Sequence, residues 1–180
     1  MIFATVGTQL PFDRLLQALD GWAAQRPNTR VLAQTGRSGA DFAHMECQPF
    51  LDQAQFAEAM QEADVIVSHA GMGSILTAAE LGKPVLILAR QSALGEHRTD
   101  HQLATAEKMR HLPNVTVALD AGSLGGHLDA LMSAPDAGLG AAISPVASDA
   151  LLTAVSGFIR TGALGGASGT WPDLLLQDPS

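Results

Sequence analysis

Short apolar runs alternate, from residue 2 to about residue 132, with segments whose apolar residues recur at helical spacing. The runs at residues 65–67 and 85–88 contain only valine, isoleucine and leucine, which is typical of strands buried on both faces of a sheet. Strands that alternate with helices form parallel sheets, because each helix crosses over from one strand to the next. We therefore predict an α/β fold with one parallel sheet.

The pattern also locates the individual elements. Glycine and proline end the third helix, since Gly82 follows its last apolar residue and Pro84 comes shortly after. The strands are predicted at residues 2–6, 30–33, 44–48, 64–68, 85–89 and 115–118, and the helices at residues 12–24, 53–62, 74–81, 100–110 and 123–132, with a loop at residues 90–98.

The chain is predicted to divide into a folded domain, residues 1–132, and a C-terminal segment, residues 133–180. Residues 133–146 are rich in alanine, glycine, serine and proline, which predicts a linker. An amphipathic helix is predicted at about residues 147–160, followed by a glycine-rich flexible tail. Two interpretations of residues 161–180 stay open, a frayed end and a segment that docks on a partner.

Charge and cysteine content argue against several classes of function. The formal net charge is −8 and no basic stripe is present, which argues against nucleic acid and against direct docking on anionic lipid. The single cysteine, Cys47, excludes an internal disulfide and fits a reducing compartment. The N-terminus lacks the pattern of a signal peptide, and no apolar run reaches about 18 residues. We expect a cytoplasmic protein whose membrane contact comes through another molecule.

Residues 65–74 have the pattern of a phosphate-binding turn. A buried strand runs through Gly71 and Gly73 into a helix, which places free N–H groups and the positive end of the helix dipole at the edge of the sheet. Glycine lets a ligand approach the backbone closely, and His69 and Ser74 add side-chain donors. The alternative is a tight strand–helix turn in which Ser74 is only the N-cap.

The same two glycines do not complete a dinucleotide-binding fingerprint. Its third glycine position is Leu76, and the turn follows a late strand rather than the first. A nicotinamide-dependent oxidoreductase is therefore the weakest of the functions considered.

Residues 90–102 place many polar side chains after the next strand, at the same edge of the sheet. Paired donors and acceptors of this kind suit the hydroxyl groups of a sugar. Thr99 and Gln102 also have the spacing of a capping box, so helix capping is the alternative for them. His97 and His101 have no third ligand at metal spacing, and we expect no metal site. The polar residues are Arg90, Glu96, His97, Arg98, Asp100, His101 and Gln102.

Four pieces of the sequence together resemble the C-terminal domain of glycosyltransferase family 28. They are IFATVGT at residues 2–8 with Phe12 and Asp13, SHAGMGSIL at residues 68–76, GKP at residues 82–84, and GEH at residues 95–97 with DHQ at residues 100–102. The resemblance covers about residues 1–130. It is closest to the small catalytic subunits of two-component enzymes, namely the PssE-like subunits of bacterial exopolysaccharide and capsule synthesis and a eukaryotic dolichol-pathway subunit.

The resemblance implies a Rossmann-like sheet, the C-terminal, donor-binding half of a GT-B fold, and an inverting transfer from a UDP-sugar. In the family, the turn at residues 69–74 holds the donor diphosphate, and the run at residues 100–102 contacts the donor sugar. The residues assigned to UDP-sugar binding are Gly7, Thr8, His69, Gly71, Met72, Gly73, Ser74, Thr77, Arg90, Glu96, His97, Asp100, His101 and Gln102.

One position departs from the family pattern. A glutamate that binds the ribose hydroxyls usually stands three residues after the serine of the turn, where this chain has Thr77. Glu80 follows on the same helix, but its direction around the helix axis differs by about 60°. The ribose contact stays open, and so does the alternative of a non-catalytic nucleotide-sugar-binding or scaffold subunit.

The implied enzyme needs a partner. No Asp-x-Asp motif is present, consistent with transfer that uses neither a metal nor another cofactor. In full-length relatives the catalytic base belongs to the acceptor domain. We therefore expect it on a membrane-anchored, PssD-like subunit that brings a lipid-linked saccharide, with Glu96 and His97 as the runners-up. Glucuronate, galactose, glucose and N-acetylglucosamine stay open as donor sugars; Arg90 or Arg98 would pair with a glucuronate carboxylate.

Overall fold

The structure, a computed structural model, describes residues 1–133 of the 180-residue chain. The predictions of a linker, a C-terminal helix and a tail fall outside the described residues. Within residues 1–133, no helix combines the length and the apolar character that a membrane span requires.

Six strands form one parallel sheet in the order β3-β2-β1-β4-β5-β6. The strands are β1 (Ile2–Thr5), β2 (Val31–Gln34), β3 (Glu46–Gln48), β4 (Val65–His69), β5 (Val85–Leu88) and β6 (Val115–Ala118). The direction of winding reverses between β1 and β4, so the carboxyl ends of these two neighbours border a crevice. The predicted Rossmann-like α/β sheet is confirmed.

Helices cover both faces of this sheet. They are α1 (Asp13–Ala23), α2 (Gln53–Glu62), α3 (Met72–Glu80), α4 (His101–Met109) and α5 (Ala121–Ser133). Each predicted strand and helix of this region is present, with ends that differ by at most two residues. A short 3₁₀ turn at Ser92–Leu94, which was not predicted, follows β5.

Alternate residues of each strand enter two separate cores. On β1, Ala4 packs in the core that α1 and α5 complete, whereas Phe3 packs in the core that α2, α3 and α4 complete. Both side chains are fully buried. Burial on both faces explains why the strands are continuous apolar runs rather than alternating patterns.

Helix α3 begins two residues earlier than predicted. Gly71 occupies the N-cap position with extended dihedrals, φ −97° and ψ 131°, and no side chain caps the helix. Ser74 therefore lies in the first turn, and its interpretation as the N-cap is wrong. At the other end, Gly82 takes φ +63°, and Lys83 N–H donates to Ala78 O, which stops the helix where the sequence predicted.

Candidate functional site

A cavity of about 610 Å³ opens at the carboxyl ends of β1, β4 and β5. It lies where the direction of winding reverses, the usual ligand position in an open α/β sheet. Three segments far apart in sequence meet there: the loop after β1, the turn into α3, and the loop that leads into α4. The predicted site residues that line it are Gly7, Thr8, His69, Gly71, Met72, Gly73, Ser74, Arg90, His97, His101 and Gln102.

The start of α3 presents unpaired backbone donors to this cavity. The N–H groups of Met72, Gly73 and Ser74 have no acceptor within the described part of the chain, and the first helical hydrogen bond is Ile75 N–H to Gly71 O. The N–H of Gly71 is occupied, because it donates to His69 O at 2.7 Å. Three converging N–H groups at the positive end of a helix dipole form a site for an anion.

Two glycines make room for the imidazole of His69. A Cβ atom on Gly71 would lie 2.3 Å from His69 Nε2, which no packing tolerates. Gly7 has φ +75°, and a Cβ there would lie 3.0 Å from His69 Cε1. A Cβ atom on Gly73 would meet no atom within 4 Å, so this residue borders open space. Gly7 and Gly71 therefore serve the packing of His69, and Gly73 leaves the cavity open.

His69 is held in its neutral form. Burial lowers the pKa of His69 to about 4, and the positive charge of Arg90 acts in the same direction. Its Nδ1 atom is buried and has no hydrogen-bond partner among residues 1–133. At neutral pH the ring is an uncharged donor and acceptor at the cavity wall.

Arg90 lines the cavity, but main-chain carbonyls occupy its guanidinium. Nη2 donates to Val6 O at 2.8 Å and to Leu10 O at 2.7 Å, and Nη1 donates to Pro11 O. The residue is only 3% exposed. These contacts correct the expectation that Arg90 pairs with a sugar carboxylate, because both terminal nitrogens already have acceptors.

Gln102 also lines the cavity from a buried position. Its Oε1 accepts the backbone N–H of Arg90 at 3.1 Å, which fixes the orientation of the amide. The Nε2 atom has no acceptor within the described region and is a free donor. The predicted capping box is absent, since Asp100 is the N-cap of α4 and no side chain caps this helix.

Three residues assigned to the donor lie outside the cavity lining. Glu96 accepts hydrogen bonds from Arg14 Nε at 2.7 Å, Arg14 Nη2 at 2.8 Å and Gln91 N at 3.0 Å, which corrects its interpretation as a ligand or a base. Asp100 accepts the N–H of Ser92, and this hydrogen bond lowers the pKa of the carboxyl. Thr77 lies in the second turn of α3, beyond the residues that line the cavity.

His97 and His101 form a pair at the cavity. Their rings meet edge to face with centroids 4.4 Å apart. His97 Nδ1 accepts the N–H of Thr99 at 3.4 Å. No group of three potential metal ligands is found within residues 1–133.

The structure adds lining residues that the sequence analysis missed. Gln9 follows Thr8 directly, and Thr105 lies one helical turn after His101, so strand-end position and helical spacing were signals for both. Leu10 adds an apolar contact to the same wall. Exposed Arg98, by contrast, is not part of the lining.

Comparisons with known proteins identify the family and support the fold. The sequence model of the glycosyltransferase family 28 C-terminal domain matches residues 1–139. The human UDP-N-acetylglucosamine transferase subunit ALG13 is 28% identical over an alignment of 109 residues, which covers 55% of this chain and 10% of that protein.

Two solved structures share the fold. The NMR structure of ALG13 matches with a TM-score of 0.55 and 20% identity, over 88% of this chain and 92% of that one. MurG from Acinetobacter baumannii matches with a TM-score of 0.51 and 20% identity, over 72% of this chain and 40% of that one. The chain thus spans a small part of human ALG13 and less than half of MurG.

Proposed function

This chain belongs to the family of glycosyltransferase family 28 C-terminal domains, and on that premise we propose that it is the donor-binding subunit of an inverting UDP-sugar glycosyltransferase. Its six-stranded sheet is the Rossmann-like C-terminal half of a GT-B fold. The observation that carries the proposal is the cluster of three unpaired N–H groups at the start of α3, open to a cavity of about 610 Å³. This volume suits a ligand of nucleotide-sugar size.

The diphosphate of the donor occupies the start of α3. The N–H groups of Met72, Gly73 and Ser74 bind its oxygens, together with the Ser74 hydroxyl. Neutral His69 adds one N–H donor without adding charge, and the guanidinium of Arg90 supplies a positive charge behind the wall. Charge on the departing diphosphate grows in the transition state, so these fixed dipoles favour transfer without a metal.

The donor sugar lies against the wall that α4 provides. The free Nε2 of Gln102 and the side chains of His101 and Thr105 face the cavity and offer donors and acceptors to its hydroxyls. Hexose, N-acetylhexosamine and glucuronate donors stay open. The contacts of Arg90 leave it no free terminal nitrogen for a carboxylate.

The base that activates the acceptor belongs to a partner. The carboxylate of Glu96 is occupied by hydrogen bonds from Arg14, and His97 Nδ1 already accepts the N–H of Thr99. A partner subunit that carries both the acceptor and the base completes the reaction. The name of ALG13, a transferase subunit, is consistent with such an arrangement.

An apolar rim along the carboxyl edge of the sheet provides a surface for this partner. Every large hydrophobic side chain that is exposed within residues 1–133 follows the carboxyl end of a strand. It lies either in the loop after that strand or in the first two turns of the next helix. Exposed apolar groups concentrated at one edge are typical of an interaction surface. The rim consists of Leu10, Phe50, Met72, Leu76, Leu94, Leu103 and Leu119.

The acceptor in this proposal is a lipid-linked saccharide of exopolysaccharide or capsule synthesis. The GEH and DHQ pieces at residues 95–97 and 100–102 favour the bacterial group of the family. A membrane-anchored, PssD-like subunit then holds the complex at the inner face of the cytoplasmic membrane.

A second candidate is a nucleotide-sugar-binding subunit without a catalytic role. The residues of α3 favour it, because Thr77 has no carboxylate and Glu80 does not line the cavity, so this helix offers no carboxylate to the ribose of a donor. Sugar transfer by the reconstituted complex separates the two roles. Transfer that is lost when Gly73 is replaced indicates a catalytic role for this chain, whereas transfer that persists indicates a scaffolding role.

Isothermal titration of the purified chain with a panel of UDP-sugars, in the presence of EDTA, tests the proposal. We expect saturable binding with one site per chain and a preference for one sugar. Absence of binding by UDP and by every UDP-sugar, with and without the partner, would contradict donor binding.

A further inference from the structure

Two guanidinium groups contact the ring of Phe12. Arg90 Cζ is 4.5 Å from the ring centroid and Arg14 Cζ is 5.3 Å from it. The ring is 1% exposed, so both contacts are shielded from solvent. Cation–π contacts at such a site are stronger than at the surface.

Each arginine ties two loops that border the cavity, the first loop (residues 6–12) and the second loop (residues 89–100). Arg90 starts in the second loop and donates to three carbonyls of the first, those of Val6, Leu10 and Pro11. Arg14 starts at the beginning of α1, directly after the first loop, and donates to Ala89 O at 2.8 Å. The two side chains therefore cross the gap in opposite directions.

Glu96 joins both arginines. Its carboxylate accepts two hydrogen bonds from Arg14, and its main-chain carbonyl accepts Arg90 Nη1 at 3.4 Å. The carboxylate also accepts Gln91 N–H, which folds the second loop back on itself. Two cations meet one carboxylate, so one positive charge remains uncompensated within the cluster, and Arg90 carries it to the cavity wall.

We propose that Arg14, Arg90 and Glu96 form a loop brace that sets the distance between the two loops, and that its members are positioning residues for the donor. The first loop supplies Gly7 to Leu10 to the cavity, and Arg90 N–H orients the amide of Gln102. The brace therefore fixes both walls against which the donor lies. This inference rests on the proposed function for its effect on donor binding.

Amide hydrogen exchange of the ligand-free chain tests the brace without reference to any substrate. Glu96→Gln keeps the size of the side chain and removes its charge. We expect faster exchange on both sides of the gap. In the second loop the affected amides are those of residues 94–96; on the other side they are Gly7 in the first loop and Leu15 and Leu16 at the start of α1. A rise confined to residues 94–96 would overturn the coupling of the two loops.

Titration with UDP tests the consequence for the donor. Glu96→Gln is expected to raise the Kd for UDP roughly tenfold, because the variant loses the charge-assisted hydrogen bonds between Arg14 and residue 96. Arg14→Lys keeps the charge without the two-nitrogen fork and is expected to fall between Glu96→Gln and the wild type. The exchanged pair Arg14→Glu with Glu96→Arg is expected to recover part of the affinity that either single exchange loses.

Asp129→Asn is the matched control. It breaks the ion pair of Arg26 with Asp129, which links the turn after α1 to α5, away from the cavity. We expect this variant to lose stability but to bind UDP as the wild type does. Equal affinity in Glu96→Gln and the wild type would overturn the positioning role. Failure of the wild type to bind any UDP compound would instead remove the proposed function, and the exchange experiment would still decide whether the brace couples the loops.

Discussion

At the scale of single residues, His69 shows how neighbours set chemistry. Its ring lies between Gly7 and Gly71, whose missing side chains leave the space that it fills. Burial and the charge of Arg90 make the protonated form unfavourable. The residue can therefore stand beside the proposed diphosphate site as a neutral donor, and its protonation is linked to folding.

His69 predicts a stability that decreases in acid. Between pH 6.5 and about 4, the unfolded chain binds a proton at His69 that the folded chain excludes, so the free energy of unfolding falls as the pH falls. The free energy of unfolding changes by at most about 1.4 kcal/mol per pH unit because of His69. Above pH 6.5 the contribution of His69 to stability is fully present and no longer changes with pH. Urea denaturation of the wild type and of His69→Gln across this range measures it. Parallel pH profiles for the two proteins would contradict the burial of a neutral imidazole.

Gly73 predicts a loss of binding without a loss of fold. Gly73→Val adds a branched side chain in open space beside the unpaired N–H groups, so we expect UDP to lose about 2 kcal/mol of binding free energy or more. Gly126→Val on α5 is the control, because a Cβ there also meets no atom within 4 Å. We expect both variants to melt close to the wild type. Unchanged UDP affinity in a folded Gly73→Val protein would remove the site assignment.

At the scale of elements, the turn into α3 and the start of α4 build the site together. The early start of α3 at Met72 places three N–H groups at the cavity. On α4, Gln102 faces inward and bonds to Arg90 rather than capping its own helix. The local sequence allowed both a cap and a ligand; the structure excludes the cap, and the ligand role of Gln102 stays a prediction.

Gln102 predicts two separable effects. Gln102→Ala leaves the buried N–H of Arg90 without an acceptor, which should cost about 1–3 kcal/mol of stability. It also removes the free Nε2, so affinity for a UDP-sugar should fall more than affinity for UDP. Thr99→Ala is the control for the capping box and should change stability by less than about 0.5 kcal/mol. Equal losses for the two ligands in Gln102→Ala would argue against a sugar contact.

At the scale of the whole molecule, the sequence predicted the sheet and its helices because burial on both faces leaves continuous apolar runs. The glycine pattern likewise located the cavity edge. Partners that are distant in the chain could not be predicted: Glu96 binds Arg14, 82 residues away, and Arg90 binds Val6, 84 residues away. The sequence shows that these residues are polar, but only the folded sheet shows which groups form their hydrogen bonds.

The apolar rim predicts dependence on a partner. We expect the purified chain to bind the donor without glycosylating a lipid-linked acceptor, and to gain this activity when it is co-expressed with an acceptor-binding subunit. Leu119→Glu, at a side chain that is 75% exposed, should weaken co-purification of the two subunits without changing UDP affinity. Glu58→Ser on α2, away from the rim, is the control. Robust transfer by the purified chain alone would contradict a two-component enzyme.

The most direct test of donor binding at the start of α3 is the two-dimensional ¹⁵N NMR spectrum of the chain during titration with UDP. We expect the largest shifts at the amides of Met72, Gly73 and Ser74, because their N–H groups gain an acceptor. Smaller shifts are expected in the loop at residues 7–10, and the edge at β3 should stay unchanged. Saturable UDP binding whose shifts leave residues 71–74 unchanged would contradict the central claim.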